Sequence, residues 1–199
     1  MELLRAFGPR VAKYKLSESE SKSLLEICNP MQMDATETLV GYIKEEKFIG
    51  DSLRRTEVFN TLKSNIQSYI KEVDSGYFDK DSDIVMDSAW YNKQIALEYN
   101  PPHCHYPICD IVCVIFPSIH IDENAESYKN NSNTEQQGQL HLTYGEVGLN
   151  GFGTARVVVE PEEGDMFVFP STLIHYTSPV LGNSERYSIS CNWKFASHG

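Results

Sequence analysis

Two short stretches toward the C-terminal end of this 199-residue chain combine residue types that can do chemistry together. His175 follows an aromatic run, Met166-Phe167-Val168-Phe169-Pro170, and after ten intervening residues comes Arg186-Tyr187-Ser188. A histidine at the start of a strand can hold a metal ion. An Arg and a Ser two positions apart on the next strand point to the same face. The planar guanidinium then offers two parallel hydrogen bonds to a carboxylate, and the hydroxyl adds a third donor. Together they suit a small diacid that chelates the metal at one end and is tethered at the other. Ser190 and Asn192 continue the same alternation and are candidates to line the same cavity.

One histidine does not make a metal site, and the rest of the chain offers two places for its partners. His103-Cys104-His105 follows Tyr99-Asn100-Pro101-Pro102, and His120-Ile121-Asp122 ends an apolar run. In both, a spacing of two sets the ligand side chains on one face. Only the second supplies the carboxylate that commonly completes a two-histidine site. In the first pair, Cys104 between His103 and His105 points away, with packing as its expected role. His141 alternates with Leu140 and Leu142 and is expected to be a hydrogen-bonded structural residue; His198 lies in the tail.

These residues need a scaffold, and the hydrophobic pattern describes one. An extended start over 3–16 gives way to a helix capped by Ser17, with Glu18 and Glu20 in its first turn and a stop before Pro30. A second helix starts near Thr56 and carries Val58, Leu62, Ile66, Ile70 and Val73 on one stripe, ending before Ser75-Gly76. Residues 31–55 give mixed signals and no element is assigned there. From Ala89 the period shortens, predicting strands over 89–99, 110–116, 139–144, 156–160, 165–169, 175–180 and 185–194. The polar segment 122–138 reads as a mobile surface loop, and 145–154, with four glycines, as a turn or the lip of a site. Helices first and many short strands after them predict helices backing an antiparallel sandwich or barrel, mainly β within the α+β class. The whole chain reads as one domain, 1–199, with helical support and lead-in strands over 1–88 and the β core over 89–195.

In its parts and their order, the C-terminal half resembles the 2-oxoglutarate- and iron(II)-dependent oxygenases. The likeness is to their prolyl hydroxylase-like branch, and within it to phage and marine-bacterial oxygenases in which Pro-His-x-His precedes an apolar strand. The parts stand here as Pro102-His103-Cys104-His105, the run Asp110-Ile111-Val112-Cys113-Val114-Ile115-Phe116, the stretch Gly138-Gln139-Leu140-His141-Leu142 and the turn Pro161-Glu162-Glu163-Gly164-Asp165. The aromatic strand, His175 and Arg186-x-Ser188 complete them. The resemblance implies a double-stranded β-helix, the cupin-like jelly roll. It implies a metal site of His103, His105 and His175, and anchoring of the far carboxylate of 2-oxoglutarate by Arg186 and Ser188. Fe(II), 2-oxoglutarate and O2 are the cofactors implied, and oxidative decarboxylation coupled to hydroxylation is the reaction. Register within these parts favours His103 and His105 over His120 and Asp122. His105 stands where most of the superfamily has a carboxylate, so three neutral imidazoles would leave the metal its full +2 charge. Asp110 is the residue placed to restore a carboxylate, as a substitute ligand or as a partner to one. Tyr99 is a candidate hydroxyl near the cosubstrate. Two other readings share the sheet: a metal-binding cupin-like module without catalysis, and a three-histidine dioxygenase that uses no 2-oxo acid.

Composition narrows the partners. Lys and Arg number 17 against 28 Asp and Glu, a formal charge of −11, with no basic cluster. Nucleic acid and anionic membranes, which need Lys/Arg patches, are therefore not expected. A small-molecule or peptidyl substrate is. Five cysteines without small-scaffold spacing, and an N-terminus Met-Glu-Leu-Leu-Arg without a long apolar run, predict free thiols and a cytoplasmic setting. Composition leaves the oligomeric state open.

Overall fold

The computed structural model describes residues 8–73, 83–125, 137–145 and 155–196. The end of the second helix at Ser75-Gly76, most of the polar segment 122–138, nearly all of the glycine-rich 145–154 and His198 lie outside them.

The lead-in strand is β1 (Ala12–Lys15), followed by α1 (Glu18–Ile27). Ser17 caps α1 in a reciprocal box: its hydroxyl accepts from the Glu20 N–H while the Glu20 carboxylate accepts from the Ser17 N–H. The segment left unassigned from sequence forms β2 (Met33–Asp34), β3 (Glu45–Phe48) and α2 (Gly50–Arg54). Then come α3 (Val58–Val73), β4 (Ile84–Gln94), β5 (Ile111–His120), β6 (Leu140–Thr143), β7 (Arg156–Val159), β8 (Asp165–Pro170), β9 (Ile174–Thr177) and β10 (Glu185–Phe195).

Two antiparallel sheets face each other. The larger has the order β1-β8-β5-β10-β4-β3-β2 and the smaller β7-β6-β9. Period-2 alternation sends the two faces of the large sheet into different cores. On β5, Ile111, Cys113 and Ile115 join Leu24, Leu62 and Ile66 of the helices, whereas Val112, Val114 and Phe116 pack between the sheets with Leu140, Leu142, Phe167 and Phe169. The stripe on α3 is thus a core face: Val58, Leu62 and Ile66 are buried, and Ile70 and Val73 pack at its margin.

Two local features aim the site. Opposite β10, Ser88 pairs with Asn192 but Met86 pairs with Trp193, so β4 carries one extra residue at Asp87. This bulge switches the alternation. Ile84 and Met86 face the helices before it, and Ser88, Trp90 and Asn92 face the space between the sheets after it. It also explains why β4 begins at Ile84 rather than at 89, since the extra residue hides the alternation. At the other end of the fold Gly164 has φ 86°, and a Cβ there would meet the Leu16 carbonyl at 2.9 Å, so the turn into β8 requires glycine. Asp165 locks that turn, accepting from the Glu162 N–H at 2.8 Å and pairing with Lys13 at 2.8 Å.

Candidate metal and 2-oxo-acid site

The histidines at 103, 105 and 175 meet. Strand β9 supplies His175, and the segment before β5 is tied to it by reciprocal backbone bonds, His103 N–H to the His175 carbonyl at 3.0 Å and His175 N–H to the His103 carbonyl at 2.9 Å. The His105 N–H reaches the Ser171 carbonyl at 2.9 Å. One potential ligand atom from each of the three rings lies within 4.8 Å of the others.

Each ring is anchored through Nδ1 to an oxygen: His103 to the Pro101 carbonyl at 2.7 Å, His105 to Asn192 Oδ1 at 2.6 Å, and His175 to the Leu173 carbonyl at 3.0 Å. An oxygen acceptor fixes the tautomer with the proton on Nδ1, which leaves every Nε2 lone pair free for a metal. Trp90 lies 5.7 Å from the His105 ring and Phe169 meets His175 edge-on at 4.9 Å. Burial pushes all three basicities down, His105 to about 4 and His175 to about 3, with His103 adding repulsion to both. The cluster is therefore neutral at pH 7, the state that metal ligation requires.

The rings open onto a cavity of about 290 Å³ between the sheets, walled also by Ser188, Ser190 and Asn192. Arg186 lies beyond Ser188 on the same strand, is fully buried, and stacks over Phe116 at 5.1 Å. Its Nη1 donates to the Gly138 carbonyl at 2.6 Å, while Nε and Nη2 have no partner among the described residues. Those two N–H groups share one edge of the guanidinium, the edge that grips a carboxylate through two parallel bonds. Burial lowers its pKa to about 9, so it remains a cation at neutral pH. A fully enclosed guanidinium with an open edge fits the carboxylate of a diacid.

Other candidates are placed elsewhere. Asp110, considered as a substitute ligand or partner, is exposed and accepts from the Phe195 N–H at 2.9 Å, where it secures the strand opposite instead of joining the histidines. His120 is exposed at the end of β5. Asp122 accepts backbone N–H bonds from Asn183 and Asn124, at 2.9 and 3.0 Å, which hold a turn. Tyr99 is not part of the cavity wall: it is 39% exposed and packs on Tyr42. Cys104, expected to pack, is exposed instead. His141 is buried, hydrogen-bonded to the Ser178 hydroxyl at 2.7 Å and stacked on Tyr176, the structural role read from sequence. Two residues of the site were not anticipated in these roles: Asn192 as the orienting partner of His105, and Glu46 of β3, buried in the cavity wall. Asn192 was marked only as a possible wall residue. Glu46 sits in a charged run, Glu45-Glu46-Lys47, whose one signal was its approach to Phe48-Ile49-Gly50.

Comparison with known proteins agrees with this geometry. No curated protein matches the sequence. Among solved structures, the Pseudomonas putida prolyl-4-hydroxylase is similar at 15% identity and TM-score 0.58, covering 94% of this chain and 92% of its own. The viral collagen prolyl hydroxylase of Paramecium Bursaria Chlorella virus-1, solved with 2OG, gives 12% and 0.58, covering 94% and 96%. SnoN, a non-heme alpha ketoglutarate dependent epimerase of nogalamycin biosynthesis, gives 11% and 0.60, covering 94% and 78%. At such identities these likenesses speak to the jelly-roll fold alone. The family is carried by sequence: residues 88–192, just over half of the chain, match the model described as "Putative 2OG-Fe(II) oxygenase". Together with three convergent imidazoles and an open guanidinium edge, that match makes the chain a member of the 2OG-Fe(II) oxygenases, enzymes of Fe(II), 2-oxoglutarate and O2.

Proposed function

We propose that His103, His105 and His175 hold the iron, and that Arg186 with Ser188 holds the far carboxylate of 2-oxoglutarate during hydroxylation of a C–H bond on a small-molecule or peptidyl substrate. The carrying observation is that all three rings spend Nδ1 on an oxygen acceptor, while one ring nitrogen from each lies within 4.8 Å of the others. Iron bound there supplies the family's chemistry, in which 2-oxoglutarate, O2 and R–H become succinate, CO2 and R–OH.

The protein's share is positional. Asn192 sets the plane and tautomer of His105, and its own Nδ2 is fixed by the Ser88 hydroxyl at 3.2 Å. Backbone carbonyls do the same for His103 and His175, so the ligand set is rigid before metal arrives. Arg186 offers its open edge in an enclosed site, where a charge-assisted bidentate pair is far stronger than in water. Trp90, Val114 and Leu140 line the cavity with apolar surface that limits stray water.

Anaerobic titration of 2-oxoglutarate into Fe(II)-loaded protein tests the reading. A metal-to-ligand charge-transfer band should develop, and admitting O2 should release succinate. Bound iron with neither band nor succinate would instead point to a three-histidine dioxygenase that needs no 2-oxo acid.

As regards a membrane, no helix among the described residues is long and apolar enough to cross one.

A further inference from the structure

The wall of the cavity contains a carboxylate that the reaction above does not use. Glu46 is 1% exposed, and neither of its oxygens has a hydrogen-bond partner among the described residues. It lines the same cavity as the three histidines. Across the sheet it stands beside Asn92, which stands beside Ser188. Asn92 donates to the Ser188 hydroxyl at 3.5 Å and leaves its own Oδ1 unpartnered. Both Glu46 oxygens and Asn92 Oδ1 are therefore acceptors left without donors among the described residues. Glycine at 41 lets the carboxylate pack against the backbone: a Cβ there would lie 2.3 Å from Glu46 Oε1 and 2.6 Å from Asn100 Oδ1.

Three occupants can be weighed. A metal ion at the histidines is not shared with Glu46, whose oxygens fall outside the 4.8 Å cluster. The cosubstrate is an anion, which a carboxylate repels. The nearby lysine of its own strand, Lys47, is paired with Asp34. What remains is a ligand that brings N–H donors and positive charge. A carboxylate buried with no compensation costs several kcal/mol, and this one is pushed up to about 7 by burial and by Glu98 and Asp34. A cation in the cavity would relieve that cost.

We infer that the primary substrate presents a cationic nitrogen, an amine or a guanidinium, to Glu46, with Asn92 Oδ1 accepting a second hydrogen bond. The inference rests on the oxygenase reading of the cavity and adds to it the class of substrate. Glu46 is a binding residue that selects the substrate and orients it.

Calorimetric binding to protein loaded with Mn(II) and 2-oxoglutarate decides the matter without turnover. The probes are 1-butylamine and butylguanidine, with 1-butanol and butyrate as neutral and anionic counterparts. A hydrogen-bonded charge pair is worth about 1.5–3 kcal/mol, so Glu46→Gln should weaken the cationic probes by roughly 10- to 150-fold. Gly41→Ala, whose Cβ would lie 2.3 Å from Oε1 and so displace the carboxylate, should weaken them as well. Equal cation affinity in wild type and Glu46→Gln overturns the inference, and so does butanol binding as tightly as butylamine. Loss of Mn(II) or 2-oxoglutarate affinity in Glu46→Gln also overturns it, by assigning Glu46 to the metal centre. If wild type binds no 2-oxoglutarate, the oxygenase reading of the residues fails, and the difference in cation affinity between wild type and variant still judges Glu46 alone.

Discussion

Arg186 and Glu46 are buried charges of opposite sign that belong to the same large sheet, and they are built differently. Arg186 on β10 has a carbonyl at one nitrogen and an aromatic face beneath it, leaving a single open edge. Glu46 on β3, two strands away, has no partner at either oxygen among the described residues. The guanidinium is thus partly satisfied before any ligand arrives and is shaped for one kind of group. The carboxylate has no such frame among the described residues. A site prepared for an invariant cosubstrate can be rigid and enclosed. Glu46, on the proposed reading, selects among substrates from the cavity wall, while the wall reaches only Ser188 on the Arg186 side.

The comparison breaks entirely if the metal does not sit between the two charges. Loss of an outer partner of a metal-bound histidine already costs about 10–100-fold in affinity, so His175→Ala should lower Fe(II) affinity by more than that and abolish succinate release. His120→Ala, at an exposed strand end, should keep its iron. Metal analysis of the purified variants reads both. Unchanged occupancy in His175→Ala would remove the metal from this cavity.

A sharper test separates the two charges from each other. Arg186→Met keeps the length of the side chain and removes the fork. Breaking one partner of a desolvated charge pair costs about 3–5 kcal/mol, so 2-oxoglutarate affinity should fall several hundred-fold or more while Fe(II) affinity holds. Titration of metal-loaded variant and wild type measures it. A near wild-type dissociation constant would place the carboxylate anchor elsewhere, and Arg186 would then be a structural cation over Phe116.

The same two residues mark what the sequence made legible. Arg186-x-Ser188 and His175 were visible because strand alternation fixes the facing of residues two apart, and that alternation holds from Arg186 to Asn192. His103 and His105 were legible through their order before β5. The core stripe of α3 and the Ser17 cap were also plain, since both depend on contacts within a few residues. Glu46 was hidden because β3 has no strand signature of its own. Glu-Glu-Lys-Phe becomes a strand only by pairing with β4, with Lys47 opposite Tyr91 and Phe48 opposite Trp90. Asn192 was hidden as the partner of His105 because its bond spans 87 positions in the chain. Asp110 misled for the converse reason. It stands five residues from His105 in sequence, but its carboxylate is spent on the Phe195 N–H.

The smallest effect expected is on stability, and it probes whether Glu46 is as bare as the contrast with Arg186 requires. Burial and the neighbouring Glu98 and Asp34 raise its pKa from 4.5 to about 7 in the folded state. The folded protein therefore keeps this proton to higher pH than the unfolded chain does. Stability from this group falls as pH rises from about 4.5 to 7, and the loss is complete above that window. His105 and His175 are already neutral over most of the window, and in any case they act equally in both proteins compared. Glutamine has nothing to ionise, so ligand-free Glu46→Gln should gain on wild type between pH 5 and pH 8, by about 2 kcal/mol. Urea unfolding of both proteins at the two pH values gives the difference. A difference that does not change with pH would mean that Glu46 is compensated in the free protein, and the asymmetry with Arg186 would vanish. A gain that shrinks when butylamine is present would tie the unpaired charge directly to the cation it selects.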